Sequence, residues 1–339
     1  MKSANPQFGL VLAGGGPKGA YQIGALKYLS EVGIQPHIIA GSSIGALNSA
    51  VLSTYRPFSY AVERLDELWS EISQLKPLKV NFMAMARYAT GFFVPTLGSV
   101  IDLLSSWGIL PESCTLLDPL PLENLVRRTI NPAEIRRGTE LWVTAFPCVK
   151  VLGIELDTMI ECVRASTGAE THWLCAQDFT DDETVYNLIL ASAALPWIFP
   201  RRKVNGTSYI DGGLADNVPV KPLAERGCSH VIVIHLENGS VWDREQFPNQ
   251  SIIEIRPQKT IDKSDVPLIG MVSTFVDFSP ERIADLKQRG YEDAKYYMEP
   301  ILETLAYVHR NRESEERQKQ SLNSLIVSTE ELLKDSPLF

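Results

Sequence analysis

The sequence predicts an α/β fold: three layers, α/β/α, built on a mainly parallel central sheet, with a helical insert after the helix that follows Ser43. Three observations carry this. Short apolar runs recur with helical stretches between them: Leu10-Val11-Leu12, His37-Ile38-Ile39, Leu141-Trp142-Val143-Thr144-Ala145, Val231-Ile232-Val233-Ile234 and Ser251-Ile252-Ile253-Glu254-Ile255. Runs that stay apolar rather than alternating belong to strands covered on both faces, as in a parallel sheet flanked by helices. Two of the runs break into glycine-rich turns that open onto helical patterns, and ligand sites of such sheets lie at these strand C-terminal ends. Finally, 339 residues with 45% hydrophobic content suffice for one large core.

The first run, Phe8 to Ala13, leads into Gly14-Gly15-Gly16-Pro17-Lys18-Gly19 and then the helical Ala20 to Leu26. Gly14-x-Gly16-x-x-Gly19 fits a dinucleotide fingerprint, but that site needs an acidic residue at the end of the next strand to bind the ribose. Here that strand ends in Ala40-Gly41-Ser42-Ser43. Nor is there the Gly-Lys-Ser/Thr of a Walker loop. What remains is a loop whose backbone N–H groups, at a helix N-terminus, face developing negative charge. The second turn, Gly41-Ser42-Ser43-Ile44-Gly45, is a Gly-x-Ser-x-Gly between the strand-like His37 to Ala40 and the helix-like Ala46 to Leu52. A tight turn in that setting lifts a serine hydroxyl out of the backbone as a nucleophile. Further on, Ile210-Asp211-Gly212-Gly213 offers a carboxylate on a glycine turn after another short strand.

Between these motifs the reading is coarser. Val149–Ile154 and Glu161–Ala165, on either side of Asp157-Thr158, are expected to form a hairpin or edge pair. Residues 80–110 carry apolar clusters, among them Phe92, Phe93 and Trp107, and read either as a helical cap on the sheet or as a lipid-contacting lid. Arg201-Arg202-Lys203 reads as a solvated strand edge or as a contact for lipid phosphate. Ser279 as N-cap with Pro280 at the first helical position predicts a helix through Leu286. In the charged tail, Leu322, Leu325, Ile326, Leu332 and Leu333 at helical spacing predict a packed surface helix or, alternatively, a helix of a homo-oligomer. The domain expectation is one body over 1–300 and a helical tail over 301–339 packed on it.

A net charge of −9 argues against a nucleic-acid partner, which needs a concentrated basic face. No apolar signal core opens the chain and no run spans a bilayer, so the expected location is cytoplasmic. The five cysteines are scattered without metal-ligand spacing and read as reduced thiols, with no metal and no cofactor expected. None of the five histidines lies in the setting of a Ser-His-Asp triad. A carboxylate that takes the serine proton directly makes that intelligible.

Gly14-Gly15-Gly16-x-Lys18-Gly19, Gly41-x-Ser43-x-Gly45 and Asp211-Gly212-Gly213 together resemble the patatin-like phospholipases. So do Ala191-Ser192-Ala193-Ala194-Leu195-Pro196-Trp197-Ile198-Phe199-Pro200, Asp216-Asn217-Val218-Pro219 and Asp277-Phe278-Ser279-Pro280-Glu281-Arg282. The likeness is strong over residues 7–55 and 187–237, weaker over 251–300 and thin over 56–186. It implies a lipid acyl hydrolase of phospholipase A type, with Ser43 as nucleophile, Asp211 as its base, and amides of Gly14, Gly15 and Gly16, chiefly the last two, as oxyanion hole. Lys18, Gly19, Gly41, Gly45, Gly212 and Gly213 would support them. Apart from the resemblance, the apolar excess of residues 80–110 makes Phe92, Phe93 and Trp107, with Trp197, the candidates to bind the acyl chain or touch the membrane. Plant members often have arginine where this chain has Lys18, which keeps the charge but not the planar donor fork. The implied partner is membrane phospholipid, met by peripheral contact. Some bacterial members are effectors switched on by cyclic nucleotides in antiphage defence, so a small-molecule nucleotide activator stays open. The alternatives are a small-ester hydrolase or thioesterase on the same site, and a non-catalytic nucleotide-binding module using Gly14–Gly19.

Overall fold

The computed structural model describes residues 7–74, 118–151, 154–156, 158–196, 198–239, 242–261 and 277–334. The expected cap or lid at 80–110, with Phe92, Phe93 and Trp107, lies outside the described residues, as does Trp197. The chain divides into two units, residues 1–294 and 295–339.

In chain order the first unit contains β1 (Gln7–Leu12), α1 (Gly19–Glu31), β2 (Ile38–Gly41), α2 (Ile44–Thr54), α3 (Phe58–Gln74), α4 (Leu120–Thr129) and α5 (Pro132–Ile135). There follow β3 (Glu140–Pro147), β4 (Lys150–Val151), β5 (Ile154–Glu155), α6 (Thr158–Ser166), β6 (His172–Cys175) and α7 (Asp182–Ser192). Then come β7 (Arg202–Val204), β8 (Thr207–Asp211), α8 (Lys221–Glu225), β9 (Cys228–Ile234), β10 (Ser251–Ile255) and the start of α9 (Pro280–Lys334).

The central sheet is mixed and mainly parallel: β10, β9, β1, β2 and β3 run parallel to one another, while β6, β7 and β8 join antiparallel. The apolar runs pack both faces. Val11, Ala40, Val231 and Val233 share a buried cluster with Leu223 of α8, whereas α1, α2 and α7 lie with the remaining core. Ala145 of β3 pairs with His172 of β6 on one edge and with Asp211 of β8 on the other. The β2 pairing ends at Gly41↔Val143, so β8 comes head-on into the lane that β2 leaves at its C-terminus. That topology delivers the end of β8 to the turn after β2.

Two local expectations change. Val149–Ile154 and Glu161–Ala165 do not pair with each other: Lys150–Val151 (β4) pairs antiparallel with Ile154–Glu155 (β5), and Glu161–Ala165 is helical, inside α6. Its buried pair, Glu161 and Ala165, is spaced i, i+4, the spacing of one helix face. The Glu161 carboxylate there accepts the Val149 N–H at 2.7 Å and bonds Arg164. α9 begins at Pro280 as expected, with Ile283 N–H donating to Ser279 O at 3.0 Å. It does not stop at Leu286 but runs to Lys334, with Pro300 inside it. The stretch is rich in Glu, Lys, Arg and Gln, which lose little freedom on becoming helical.

Within the first unit the opening of α9 is fixed to α1 and α3. Tyr21 O–H donates to Asp293 at 3.0 Å, and Lys287 pairs with Asp66 at 2.6 Å. The described part of the second unit is the rest of α9, in which Leu305, Leu322, Leu325 and Ile326 are exposed.

Candidate active site

Ser43 sits between β2 and α2 with φ 52° and ψ −124°, a backbone region that side-chain-bearing L-residues rarely adopt. Its surroundings enforce the turn. Gly45, in the first turn of α2, lies so close to β1 that a Cβ there would meet Leu12 O at 2.1 Å. The Ser43 N–H donates to Ser192 Oγ at 2.9 Å. The hydroxyl so presented donates to Asp211 Oδ2 at 2.7 Å. The other oxygen, Oδ1, accepts the Gly213 N–H at 2.8 Å, with Gly212 and Gly213 forming the short helical turn after β8. The Asp211 N–H donates to Ala194 O at 3.0 Å.

Asp211 is 2% exposed. Burial pushes its carboxyl up to about 7, opposed by the hydrogen bonds from Ser43 and Gly213. A carboxylate with proton affinity near neutrality, 2.7 Å from a hydroxyl, can take that proton and return it.

The glycine-rich loop passes beside Ser43. Gln22 Nε2 donates to Ala13 O at 2.7 Å, Asn48 Nδ2 donates to Gln22 Oε1 at 2.8 Å, and Trp69 Nε1 donates to Asn48 Oδ1 at 2.9 Å. This buried chain ties α1, α2 and α3 to the end of β1. Gly16 has φ 58°, and Leu236 packs against Gly15. Gly14 differs from the expectation. Its N–H donates to Asn217 Oδ1 at 2.9 Å and its carbonyl accepts from Asn217 Nδ2 at 3.2 Å. The Gly14 amide is therefore committed to Asn217.

Gly19 starts α1 and Gly41 closes β2. Lys18 is buried, with Nζ 3.8 Å from Glu237 Oε1 beside the loop. Arg201 reaches Leu156 O at 2.8 Å and Thr158 Oγ1 at 2.9 Å, and Arg202 pairs with Glu123, so both bind their own fold at a strand edge.

The four histidines of the first unit are engaged with partners other than Ser43 and Asp211. His37 Nδ1 accepts from Phe8 N–H at 3.1 Å, His172 meets Tyr209 O–H at 3.0 Å, and His230 meets Ser229 Oγ at 2.9 Å. His309 lies near Glu313 in the second unit. His235 is buried at the end of β9 with Nε2 3.0 Å from Glu254. That hydrogen bond, with those from Trp242 and Arg256, pulls the Glu254 carboxyl down to about 2. Burial pushes the His235 imidazole below its ordinary value.

Sequence reasoning quoted Ser192 and Asn217 but gave them no role. Both act through hydrogen bonds to residues far away in the chain.

A family model described as patatin-like phospholipase matches residues 10–224. The chain belongs to the patatin-like phospholipase family, whose members are serine esterases. Among curated relatives, the lysophospholipase NTE1 of Candida albicans is 24% identical over 248 residues, 71% of this chain and 14% of that protein. Neuropathy target esterase sws of Drosophila melanogaster is 25% identical over 226 residues, 67% of this chain and 12% of that protein. The chain thus spans about one seventh or less of the length of these relatives. Among solved structures, VipD from Legionella pneumophila is similar at 15% identity and a TM-score of 0.45, covering 88% of this chain and 68% of that one.

Proposed function

We propose that this chain is a lipid acyl hydrolase of phospholipase A type, working through Ser43 and Asp211. The observation that carries the reading is the 2.7 Å hydrogen bond from Ser43 Oγ to a buried carboxylate whose proton affinity lies near neutrality. Asp211 takes the Ser43 proton as Oγ attacks the ester carbonyl. The Gly15 and Gly16 amides hold the tetrahedral oxyanion. Collapse breaks the ester C–O bond, and protonated Asp211 gives its proton to the departing alkoxide. Water then attacks the acyl-serine with Asp211 again as base, releasing fatty acid and restoring Ser43.

The substrate is a membrane glycerophospholipid or its single-chain lyso form. Two of the similar proteins carry names of that chemistry, a lysophospholipase and an esterase. No helix among the described residues is long and apolar enough to cross a membrane. On this reading the lipid is met by peripheral contact. The test is fatty-acid release from phosphatidylcholine vesicles, lysophosphatidylcholine and a soluble short-chain ester. Release from the lipids, lost in Ser43→Ala, supports the reading. Turnover of the short ester alone would make the enzyme a small-ester hydrolase.

A further inference from the structure

The stretch Ala191-Ser192-Ala193-Ala194 drew notice in the sequence, yet nothing in the proposed chemistry uses it. In the fold it touches both members of the Ser43–Asp211 pair. Ser192, the last residue of α7, accepts the Ser43 N–H on its hydroxyl at 2.9 Å. Two residues on, Ala194 O accepts the Asp211 N–H at 3.0 Å. A single short segment thus grips the backbone of the serine and of the aspartate, which lie 168 residues apart in the chain.

The grip is firm because α7 is held along its length. At its start Asp181 accepts the Thr184 N–H at 2.8 Å, and Arg136 and Arg127 bond Asp182 and Glu183. Its body packs on β3, on β8, which ends in Asp211, and on α2, which begins beside Ser43. Ser192 itself is fully buried. Ser43, by contrast, sits at φ 52°, a conformation that persists only where the surroundings over-determine it.

We propose that Ser192 is a positioning residue for the nucleophile: its hydroxyl holds the Ser43 amide and thereby fixes the elbow that aims Ser43 Oγ at Asp211. The inference rests on the reading of Ser43 as nucleophile. Without that acceptor the Ser43 N–H loses its partner, the turn relaxes toward negative φ, and Cβ carries Oγ off its line to the carboxylate. Ser192 touches no substrate in this scheme. Its loss therefore slows every reaction of Ser43 and leaves substrate affinity alone.

The experiment compares wild type, Ser192→Ala and Ser192→Thr in two assays. One is the rate of covalent labelling by a fluorophosphonate, with the labelled residue located by peptide mass spectrometry. The other is kcat and KM on a soluble short-chain ester. For Ser192→Ala, labelling and kcat are expected to fall together by about 10- to 100-fold, the scale of a small misplacement of a reacting group, with KM changed by less than about twofold. Ser192→Thr, which restores the hydroxyl, recovers most of both rates. Ser192→Ala labelling at the wild-type rate would overturn the proposal. Equal loss in Ala and Thr variants would also overturn it, by tracing the effect to packing. If Ser192→Ala does not fold, Ser192→Cys replaces it. Its sulfur is a weaker acceptor of similar size and must label more slowly than wild type. Failure of the underlying reading shows differently: wild type would take no label at Ser43.

Discussion

Asp211→Asn should inactivate the protein and, at alkaline pH, stabilise it. The buried carboxyl is raised from 3.8 to about 7, mainly by burial. Below 3.8 both folded and unfolded chains are protonated there, and the group's contribution to stability is fully present. As pH rises toward 7 the unfolded chain releases the proton while the folded chain keeps it, so stability is lost progressively. At about 1.4 kcal/mol per tenfold in proton affinity, the loss is about 4 kcal/mol once pH exceeds 7. Roughly a third of it falls below pH 5, leaving about 3 kcal/mol between pH 5 and pH 8. Asparagine keeps the shape, can still accept the Gly213 N–H, and never ionises, so the variant escapes this loss. Equilibrium urea unfolding of both proteins at pH 5 and pH 8 measures it, because carboxylates common to both cancel in the difference. The expected result is an advantage for Asp211→Asn that grows by about 3 kcal/mol from pH 5 to pH 8, in a protein without esterase activity. A pH-independent difference would refute the reasoning, as would a variant less stable than wild type at pH 8.

Three further outcomes follow from the same geometry. Ester hydrolysis should fall as pH drops through about 7, because protonated Asp211 cannot accept the serine proton, and His235→Gln should leave that inflection in place. A pH–rate profile of kcat/KM checks both, and an inflection abolished by His235→Gln would assign the titration to the imidazole. Asn217→Ala should lower kcat by about tenfold or more with little change in KM, because the clasp on Gly14, next to the proposed oxyanion amides of Gly15 and Gly16, is gone. Steady-state kinetics on a short ester reads this directly.

Much of this architecture was legible along the chain, for physical reasons. β1, β2 and the Val231–Ile234 part of β9 are apolar because both faces of a parallel sheet are covered, so composition alone marks them. The turn at Ser43 shows because its close approach to β1 leaves Gly45 no room for a side chain. β6 was not read, since His172-Trp173-Leu174-Cys175 is short and half-exposed. Glu161–Ala165 misled because its buried carboxylate answers a backbone amide of the hairpin before it, and five residues do not separate a helix face from an edge strand. The Gly14 amide passed for an oxyanion donor because its partner, Asn217, lies 203 residues further on. Ser192, 149 residues from Ser43, escaped a role for the same reason. Short-range periodicity reports burial, and it carries nothing about polar contacts closed by the tertiary fold.

The most direct test of the account is phospholipid hydrolysis by Ser43→Ala. The hydroxyl contributes little to packing, so the variant should fold and melt close to wild type. Its release of fatty acid from phosphatidylcholine vesicles and lysophosphatidylcholine should fall about a thousandfold or more, as expected when a covalent nucleophile is removed. A folded Ser43→Ala protein that keeps about a tenth of wild-type turnover would contradict the account, because covalent catalysis at this serine leaves no such remainder.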